Sequence, residues 1–161
     1  MKFVKESLIR ATPERVFAFH EQPGALDLLI PPWEPSRVLK RAENLLPGTE
    51  THVEARILGL VKSRWVARHT AYESPRLFED VMISGPMRSW RHRHMVLPHA
   101  EGAILRDEID YEPPLGPLGR LCAPLLIGPR LRRLFDYRHE VTRRWCEAGE
   151  AAGGREPGGA V

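Results

Sequence analysis

The sequence predicts an α+β fold in which a curved antiparallel sheet of about seven strands wraps around one long C-terminal helix. Strand-like segments separated by short turns occupy about a hundred residues of the chain. Short links favour antiparallel pairing, because parallel strands need long crossover connections. An amphipathic segment follows near the C-terminus, and a helix of this kind must bury its apolar stripe against another element.

The N-terminal part of the chain predicts one strand and two short helices. Lys2–Ile9 alternates weakly between polar and apolar residues, as a strand does. The run TPE at positions 12–14 supplies an N-cap, a first-turn proline and a first-turn acid, so we expect a short helix to follow through Phe19. Gly24–Ile30 predicts a second short helix, which ends at a pair of prolines.

Six further strands are predicted between residues 37 and 112, separated by turns rich in glycine and proline. They are Arg37–Glu43, Thr49–Leu58, Lys62–Glu73, Leu77–Ser84, Ser89–Leu97 and Ala103–Glu112. Pro113–Gly119 then predicts a stiff linker, which leads to the apolar segment Leu121–Ile127.

The long helix is predicted from Pro129 to about Ala148. Proline suits the first helical position because its missing N–H would have no partner there. The apolar residues that form the predicted stripe are Leu131, Leu134, Phe135, Val141 and Trp145. Residues 149–161 carry little apolar surface and predict a disordered tail, which leaves residues 1–148 as a single domain.

Composition argues against several classes of protein. The 161 residues include 24 Lys and Arg against 21 Asp and Glu, and this near balance disfavours a dedicated nucleic-acid binder. Cys122 and Cys146 have no metal or redox spacing, so we expect buried free thiols. Neither a signal peptide nor an apolar run of 18 residues is found, so we expect a soluble, cytoplasmic protein without membrane insertion.

Several short segments carry a resemblance to a known superfamily. They are ATPERVF at 11–17, GP at 85–86, WRHRH at 90–94, DEIDY at 107–111, PLG at 114–116 and LFDYR at 134–138. With them the chain resembles the START / birch-pollen-allergen-like (SRPBCC) superfamily of helix-grip proteins, and within it the bacterial polyketide cyclase/dehydrase and lipid-transport group. The resemblance covers residues 1–148. It implies a hydrophobic cavity between the sheet and the long helix, no metal or other cofactor, and no universal catalytic residue.

Strand periodicity places a group of polar residues on the predicted concave face. Trp90, His92 and His94 share one face of their strand, and Asp107 lies on the equivalent face of the next strand. Asp80 is a further candidate. A histidine beside a carboxylate in an apolar cleft can transfer protons. The same residues also fit a buried polar network that stiffens the sheet, or a group that orients a ligand.

A metal site is a weaker hypothesis for the same strand. The pattern His92-x-His94 places two imidazoles on one side, and His99, Asp107 or Glu108 could supplement them. An isolated H-x-H pattern is weak support, so the sequence-based expectation is that no metal is bound.

The predicted cavity wall combines aromatic, apolar and polar side chains. The expected ligand-binding residues are Phe19, Trp33, Trp65, Met82, Trp90, His92, Leu131, Phe135 and Arg138. Arg138 falls within the apolar stripe of the long helix. We expect it to form an ion pair with Asp107 or Glu112, and the alternative is an ion pair with a ligand carboxylate.

The main functional prediction is the binding or transport of a small hydrophobic ligand, either lipid-like or an aromatic polyketide, by a monomer or weak homodimer. One alternative is a cyclase- or dehydrase-type enzyme that uses His92 or His94 as acid or base, with Asp107 as its partner. A second alternative is a protein-interaction module like the co-chaperones of similar fold. The heavily charged outer strand faces argue against this last hypothesis.

Overall fold

Seven antiparallel strands form a single curved sheet. The computed structural model describes residues 1–57 and 61–153, with side chains for 1–55 and 62–148. The strands are β1 (Lys2–Ile9), β2 (Ser36–Lys40), β3 (Glu50–Ile57), β4 (Val61–Glu73), β5 (Leu77–Ser84), β6 (Ser89–His99) and β7 (Gly102–Glu112). Their order is β1-β7-β6-β5-β4-β3-β2, so β2 to β7 form a meander and β1 pairs with β7. This confirms the predicted α+β architecture. Leu58, predicted to end one strand, lies outside the described residues.

Four helices accompany the sheet in the described part of the chain: α1 (Pro13–Glu21), α2 (Ala25–Leu28), α3 (Gly116–Leu126) and α4 (Gly128–Gly153). Thr12 caps α1 as expected, because its Oγ1 accepts a hydrogen bond of 3.3 Å from the backbone N–H of Arg15. Helix α4 packs on β1, and α1 packs on β6 and β7. The long helix and the first short helix therefore meet the sheet at its β1-β7-β6 end.

The predicted linker Pro113–Gly119 is wrong in its second half, because α3 begins at Gly116. A proline in the first helical turn interrupts no hydrogen bond, so Pro117 does not prevent helix formation. Leu115 precedes the helix with a φ of 66°, in the left-handed region. The segment therefore turns sharply and becomes helical from Gly116, where the stiff linker was expected to continue.

The buried stripe of α4 differs from the predicted one. Leu131 and Phe135 are buried as expected, whereas Trp145 is partly exposed. The stripe continues instead through His139, Thr142 and Cys146. Hydrophobicity alone did not reveal this line, because two of its members are polar. The helix continues to Gly153, beyond the predicted end at Ala148, and the rest of the predicted tail (154–161) lies outside the described residues.

The buried core consists of two apolar clusters. One is built around α1 and includes Phe17 and Phe78, and the other includes Leu131 and Phe135 from α4. Histidine rings from β6 contact both clusters. His94 stacks on Phe78 with 4.0 Å between ring centroids, and His92 meets Phe135 edge-on at 5.3 Å. A polar layer therefore lies between the two apolar clusters.

Within the described residues, no helix is long and apolar enough to cross a membrane. The two cysteines are free thiols, as expected, although only Cys146 is fully buried.

Candidate functional site

Asp107 is the centre of the buried polar layer. Its Oδ1 accepts a hydrogen bond of 2.8 Å from His92 Nε2, and its Oδ2 accepts one of 2.7 Å from His139 Nε2. His94 Nδ1 lies 2.7 Å from Asp107 Oδ1, although this contact lacks the alignment of a hydrogen bond. The structure thus brings together His92, His94 and Asp107, which strand periodicity had placed on one face.

The register of the strands explains this meeting. His94 on β6 lies opposite Asp107 on β7, and His92 lies opposite Asp80 on β5. The carboxylate of Asp80 therefore reaches the other side of the two imidazoles. Its Oδ2 lies 3.8 Å from His92 Nδ1 and 3.5 Å from His94 Nε2. Each of these imidazoles consequently lies between two carboxylates.

Burial and charge act in opposite directions on these groups. Burial alone would lower the pKa of His94, but Asp107 and Asp80 outweigh it and raise that pKa to about 9. Burial together with the charge of His94 lowers the pKa of His92. Burial alone would raise the pKa of Asp107, but His94, with hydrogen bonds from the neighbouring imidazoles, holds it well below its usual range. At neutral pH the cluster therefore contains an imidazolium between two carboxylates.

His20 on α1 belongs to the same site, although the sequence analysis did not select it. Its Nδ1 lies 2.9 Å from the carbonyl oxygen of Val16. A carbonyl only accepts, so Nδ1 carries the hydrogen and Nε2 keeps a lone pair. Burial and the nearby charge of His94 lower the pKa of His20 to about 4. The sequence signal for His20 was its position four residues after the apolar Val16, which places both side chains on one face of α1.

His139 on α4 was also missed. It follows Phe135 by four residues, which places it on the same face of the helix. Its Nε2 donates to Asp107, and Ser7 Oγ on β1 lies 2.9 Å from its Nδ1. His139 therefore connects the long helix to two strands of the sheet.

Arg138 does not form the expected ion pair with Asp107 or Glu112 in the described structure. Its Nε donates to the carbonyl oxygen of Leu29 at 3.2 Å, and its guanidinium lies 5.2 Å from the centre of the Phe135 ring. The reason is the rotation of α4 about its axis. His139, the next residue, hydrogen-bonds to Asp107, and Arg138, about 100° away around the helix, therefore faces α2. Glu112 is held by another arginine. Burial lowers the pKa of Arg138.

A small enclosed space lies between α1, α4 and the sheet. It measures about 20 Å³ and is lined by His20, Leu29, His94, Leu105, Asp107, Phe135, Arg138, His139 and Thr142. This volume holds roughly one water molecule. The expected large apolar cavity is therefore largely filled in the described structure, because Phe135 and His139 project from α4 into it. A ligand of ordinary size needs about 300 Å³ or more, so it would have to displace side chains.

The other predicted wall residues divide into two groups. Phe19 is fully buried in the core, and Trp65 meets Trp90 at a right angle with 5.0 Å between ring centroids. Met82 lies beside Gly85, next to this tryptophan pair. Trp33 lies elsewhere, because its proline-rich turn carries it past α4 to the surface. It is 43% exposed and lines an open groove of about 610 Å³ on the outer side of the helix.

Comparison with known proteins gives the family. Residues 9–135 match the family described as polyketide cyclase / dehydrase and lipid transport. The chain belongs to this family, and membership supports ligand binding as its general function. No curated protein matches the chain.

Solved structures share the fold at low sequence identity. A norcoclaurine synthase point mutant from Thalictrum flavum superposes with a TM-score of 0.71 at 14% identity, over 93% of this chain and 96% of the other. The protein TTHA0849 from Thermus thermophilus gives 0.68 at 20% identity, over 88% and 97%. Ara h 8.0201 gives 0.67 at 13% identity, over 92% and 98%. The structure is therefore a helix-grip fold.

Proposed function

We propose that the protein binds a small, mainly apolar molecule, lipid-like or aromatic, that carries one anionic group held by Arg138. Family membership supports ligand binding in general. The observation that carries the proposal is the state of Arg138, which lines the enclosed space but has no carboxylate within ion-pair distance among the described residues. A largely desolvated cation without a carboxylate in contact is costly even with Asp107, Asp80 and Glu34 nearby, and an anionic ligand group would offset that cost.

The apolar part of the ligand would contact Leu29, Leu105 and Phe135, which line the same space. Burying about 300 Å² of apolar ligand surface would contribute roughly 7 kcal/mol before the cost of rearrangement. Helix α2 is the element that can most easily make room, because it is only four residues long and lacks a side-chain cap. We therefore expect α2 and Leu29 to move when the ligand binds.

The test uses 8-anilinonaphthalene-1-sulfonate, an aromatic probe with one anionic group whose fluorescence rises in apolar surroundings. Wild-type protein should bind it, and Arg138→Gln should bind about tenfold or more weakly, since a charged hydrogen bond contributes about 1.5–3 kcal/mol. Arg133→Gln is the matched control, because Arg133 lies over Trp33 on the outer groove. Equal affinity in wild type and Arg138→Gln, or no binding at all, would overturn the proposal.

A second candidate function is acid–base catalysis of the cyclase or dehydrase type, now with His94 and His20 as the pair. Their ring centroids are 6.0 Å apart, and both side chains line the enclosed space. The pKa of His94 is raised to about 9, whereas that of His20 is lowered to about 4. Such separation is typical of a donor and an acceptor of protons. His94 would protonate an oxygen while the lone pair of His20 removes a proton from carbon.

This candidate is tested by hydrogen–deuterium exchange at the α-carbon of 2-tetralone, an enolisable ketone, followed by NMR. Wild-type protein should accelerate exchange, and His94→Gln or His20→Gln should reduce it about a hundredfold or more. His52→Gln, on β3, should leave it unchanged. If all four proteins give the uncatalysed rate, the catalytic candidate fails, while the binding proposal is judged separately by the fluorescence titration.

The remaining sequence-based expectations are proposals about the same molecule. We propose that residues 1–148 form the binding domain and that it acts as a monomer or weak homodimer without nucleic acid. The near balance of 24 basic and 21 acidic residues supports the latter point. Light scattering coupled to size-exclusion chromatography tests the oligomeric state, and a stable higher oligomer would contradict it.

A further inference from the structure

Three side chains on two adjacent strands direct one ligand atom each towards a common point. They are Asp80 Oδ2 on β5 with His92 Nδ1 and His94 Nε2 on β6, and these atoms all lie within 4.8 Å of one another. We infer that Asp80, His92 and His94 form a binding site for one divalent transition-metal ion. The inference is independent of the anion site proposed at Arg138.

The distances fit such an ion. Metal–ligand bonds of about 2.1 Å in tetrahedral geometry place neighbouring ligand atoms about 3.4 Å apart. The carboxylate oxygen lies 3.5 Å from the nitrogen of His94 and 3.8 Å from that of His92. The two imidazole nitrogens lie within 4.8 Å of each other, so side-chain adjustments of about 1 Å or less would bring all three atoms into the coordination distance.

Asp107 supplies the carboxylate that usually contacts the non-coordinating nitrogen of a metal-binding histidine. It accepts a hydrogen bond from His92 Nε2 and contacts His94 Nδ1, so both rings have their opposite nitrogens turned towards Asp80. A carboxylate behind each metal-binding imidazole fixes the ring orientation and raises its basicity. Asp107 thus acts as a positioning residue for both ligands.

The contacts between Asp80 and the two imidazoles are long enough to admit a metal ion, which would displace the proton that His94 carries at neutral pH. Asp80 is largely buried, yet its closest imidazole nitrogens lie beyond the 2.7–2.9 Å typical of charge-assisted hydrogen bonds. Two imidazole nitrogens and one carboxylate suit Fe²⁺, Co²⁺ or Zn²⁺, with at least one position left for water or substrate. A metal-bound His94 cannot donate a proton, so this inference competes with the catalytic candidate above.

The test is titration of chelator-treated protein with Co²⁺, followed by its visible absorption. One equivalent should bind with the intense absorption of a four-coordinate ion, and Zn²⁺ should displace it. Asp80→Asn, which preserves shape, should weaken binding at least about tenfold, and Asp107→Asn about ten- to a hundredfold. His52→Gln is the control, because His52 forms a separate histidine–carboxylate pair with Glu50.

Circular dichroism checks that each variant is folded, and the wild-type titration stands without any variant. Absence of a one-equivalent Co²⁺ complex in wild-type protein would overturn the inference. So would an unchanged spectrum and affinity in folded Asp80→Asn. If only the His52→Gln variant lost the Co²⁺ absorption, the ion would bind elsewhere, and the inference would also be overturned.

An independent observation concerns the outer face of α3. Five leucines there, one just before the helix and four within it, are 57 to 80% exposed: Leu115, Leu118, Leu121, Leu125 and Leu126. The opposite side of the helix packs on α4 and buries Ala123. An exposed apolar face of this extent marks an interaction surface.

The charges around this face indicate its occupant. Residues 113–135 contain four arginines and no acidic residue, and two of these arginines pair with glutamates elsewhere: Arg120 with Glu112 and Arg130 with Glu34. Arg132 and Arg133, at the start of α4, are exposed and form no ion pair among the described residues. An apolar helix followed in the chain by exposed arginines is typical of a helix that lies in the interface of an anionic bilayer. We propose that α3 docks on the surface of such a bilayer.

Vesicle flotation tests this proposal. The protein should float with vesicles of phosphatidylcholine and phosphatidylglycerol, much less with phosphatidylcholine alone, and salt should weaken the effect. Leu121→Ser/Leu125→Ser should abolish flotation, whereas Leu39→Ser/Leu46→Ser, at two other exposed leucines, should not. No flotation of the wild type, or equal flotation of both double variants, would overturn the proposal. A dimer that only the α3 variant dissociates would assign the face to a second copy instead.

Discussion

Asp107 on β7 and His139 on α4 form a buried hydrogen bond that joins the sheet to the long helix. Asp107 Oδ2 lies 2.7 Å from His139 Nε2, and both side chains are buried. The other nitrogen of His139 contacts Ser7 on β1, and the other oxygen of Asp107 accepts from His92 on β6. One carboxylate on β7 is thus linked through two histidines to three further elements, α4, β1 and β6.

Asp107→Asn should lower the free energy of unfolding by about 3–5 kcal/mol, because it removes one partner of a buried charge cluster. Asparagine keeps the shape but cannot accept hydrogen bonds from both imidazoles in the same way. Urea unfolding followed by circular dichroism measures the change. Asp110→Asn is the control, since Asp110 pairs with Arg93 in a more exposed position. A loss below about 1 kcal/mol in Asp107→Asn would contradict the central role of this carboxylate.

Phe135→Ala should lower the free energy of unfolding by about 3–5 kcal/mol, because the ring is fully buried and its removal leaves a cavity. The ring contacts Phe3 at 5.4 Å and His92 at 5.3 Å between centroids, so both neighbours lose packing. Thermal and urea unfolding measure the effect. Leu134→Ala, at a half-buried neighbouring position, should cost clearly less. Equal costs would mean that α4 is rotated relative to the structure described.

Glu108→Gln should reduce stability at neutral pH but much less in acid. Hydrogen bonds from Lys2 and Arg106 lower the pKa of Glu108 from 4.5 to about 2. Because the folded-state pKa lies below the unfolded one, this stabilisation is present above pH 4.5 and is lost as pH falls through 2. Urea unfolding of both proteins between pH 7 and about pH 3 should show their stabilities converging. A difference that stays constant with pH would contradict this assignment.

Gly102→Ala should destabilise the turn between β6 and β7 by about 2 kcal/mol or more, through backbone strain and a direct clash. Gly102 has a φ of 136°, and an added Cβ would lie 2.3 Å from the carbonyl oxygen of Ile9. Gly48→Ala is a matched control, because Gly48 also has a positive φ, of 95°, but nothing lies within 4 Å of its added Cβ. It should cost only the conformational strain, about 1–2 kcal/mol. Equal costs in the two variants would show that the clash is absent.

Much of the architecture could be predicted from the sequence, because its signals are local. Strand alternation placed His92, His94 and Asp107 on one face, and the TPE run gave the start of α1. The linker prediction at Pro113–Gly119 was wrong because a proline at the start of a helix resembles one in an extended segment. The buried stripe of α4 was only partly identified, since His139 and Thr142 are polar.

The sequence by itself determined the element types, their order and the faces of the central strands, because periodicity, caps and turn residues act over a few positions. Only the tertiary structure decided that His20 and His139 join the cluster, that the candidate Asp80 belongs to it, and that Arg138 turns away from Asp107. These outcomes depend on the register between strands and on the rotation of α4 about its axis. Both are set by the packing of the whole core, and a rotation of α4 by one residue, about 100°, would bring Arg138 to the place where His139 now meets Asp107.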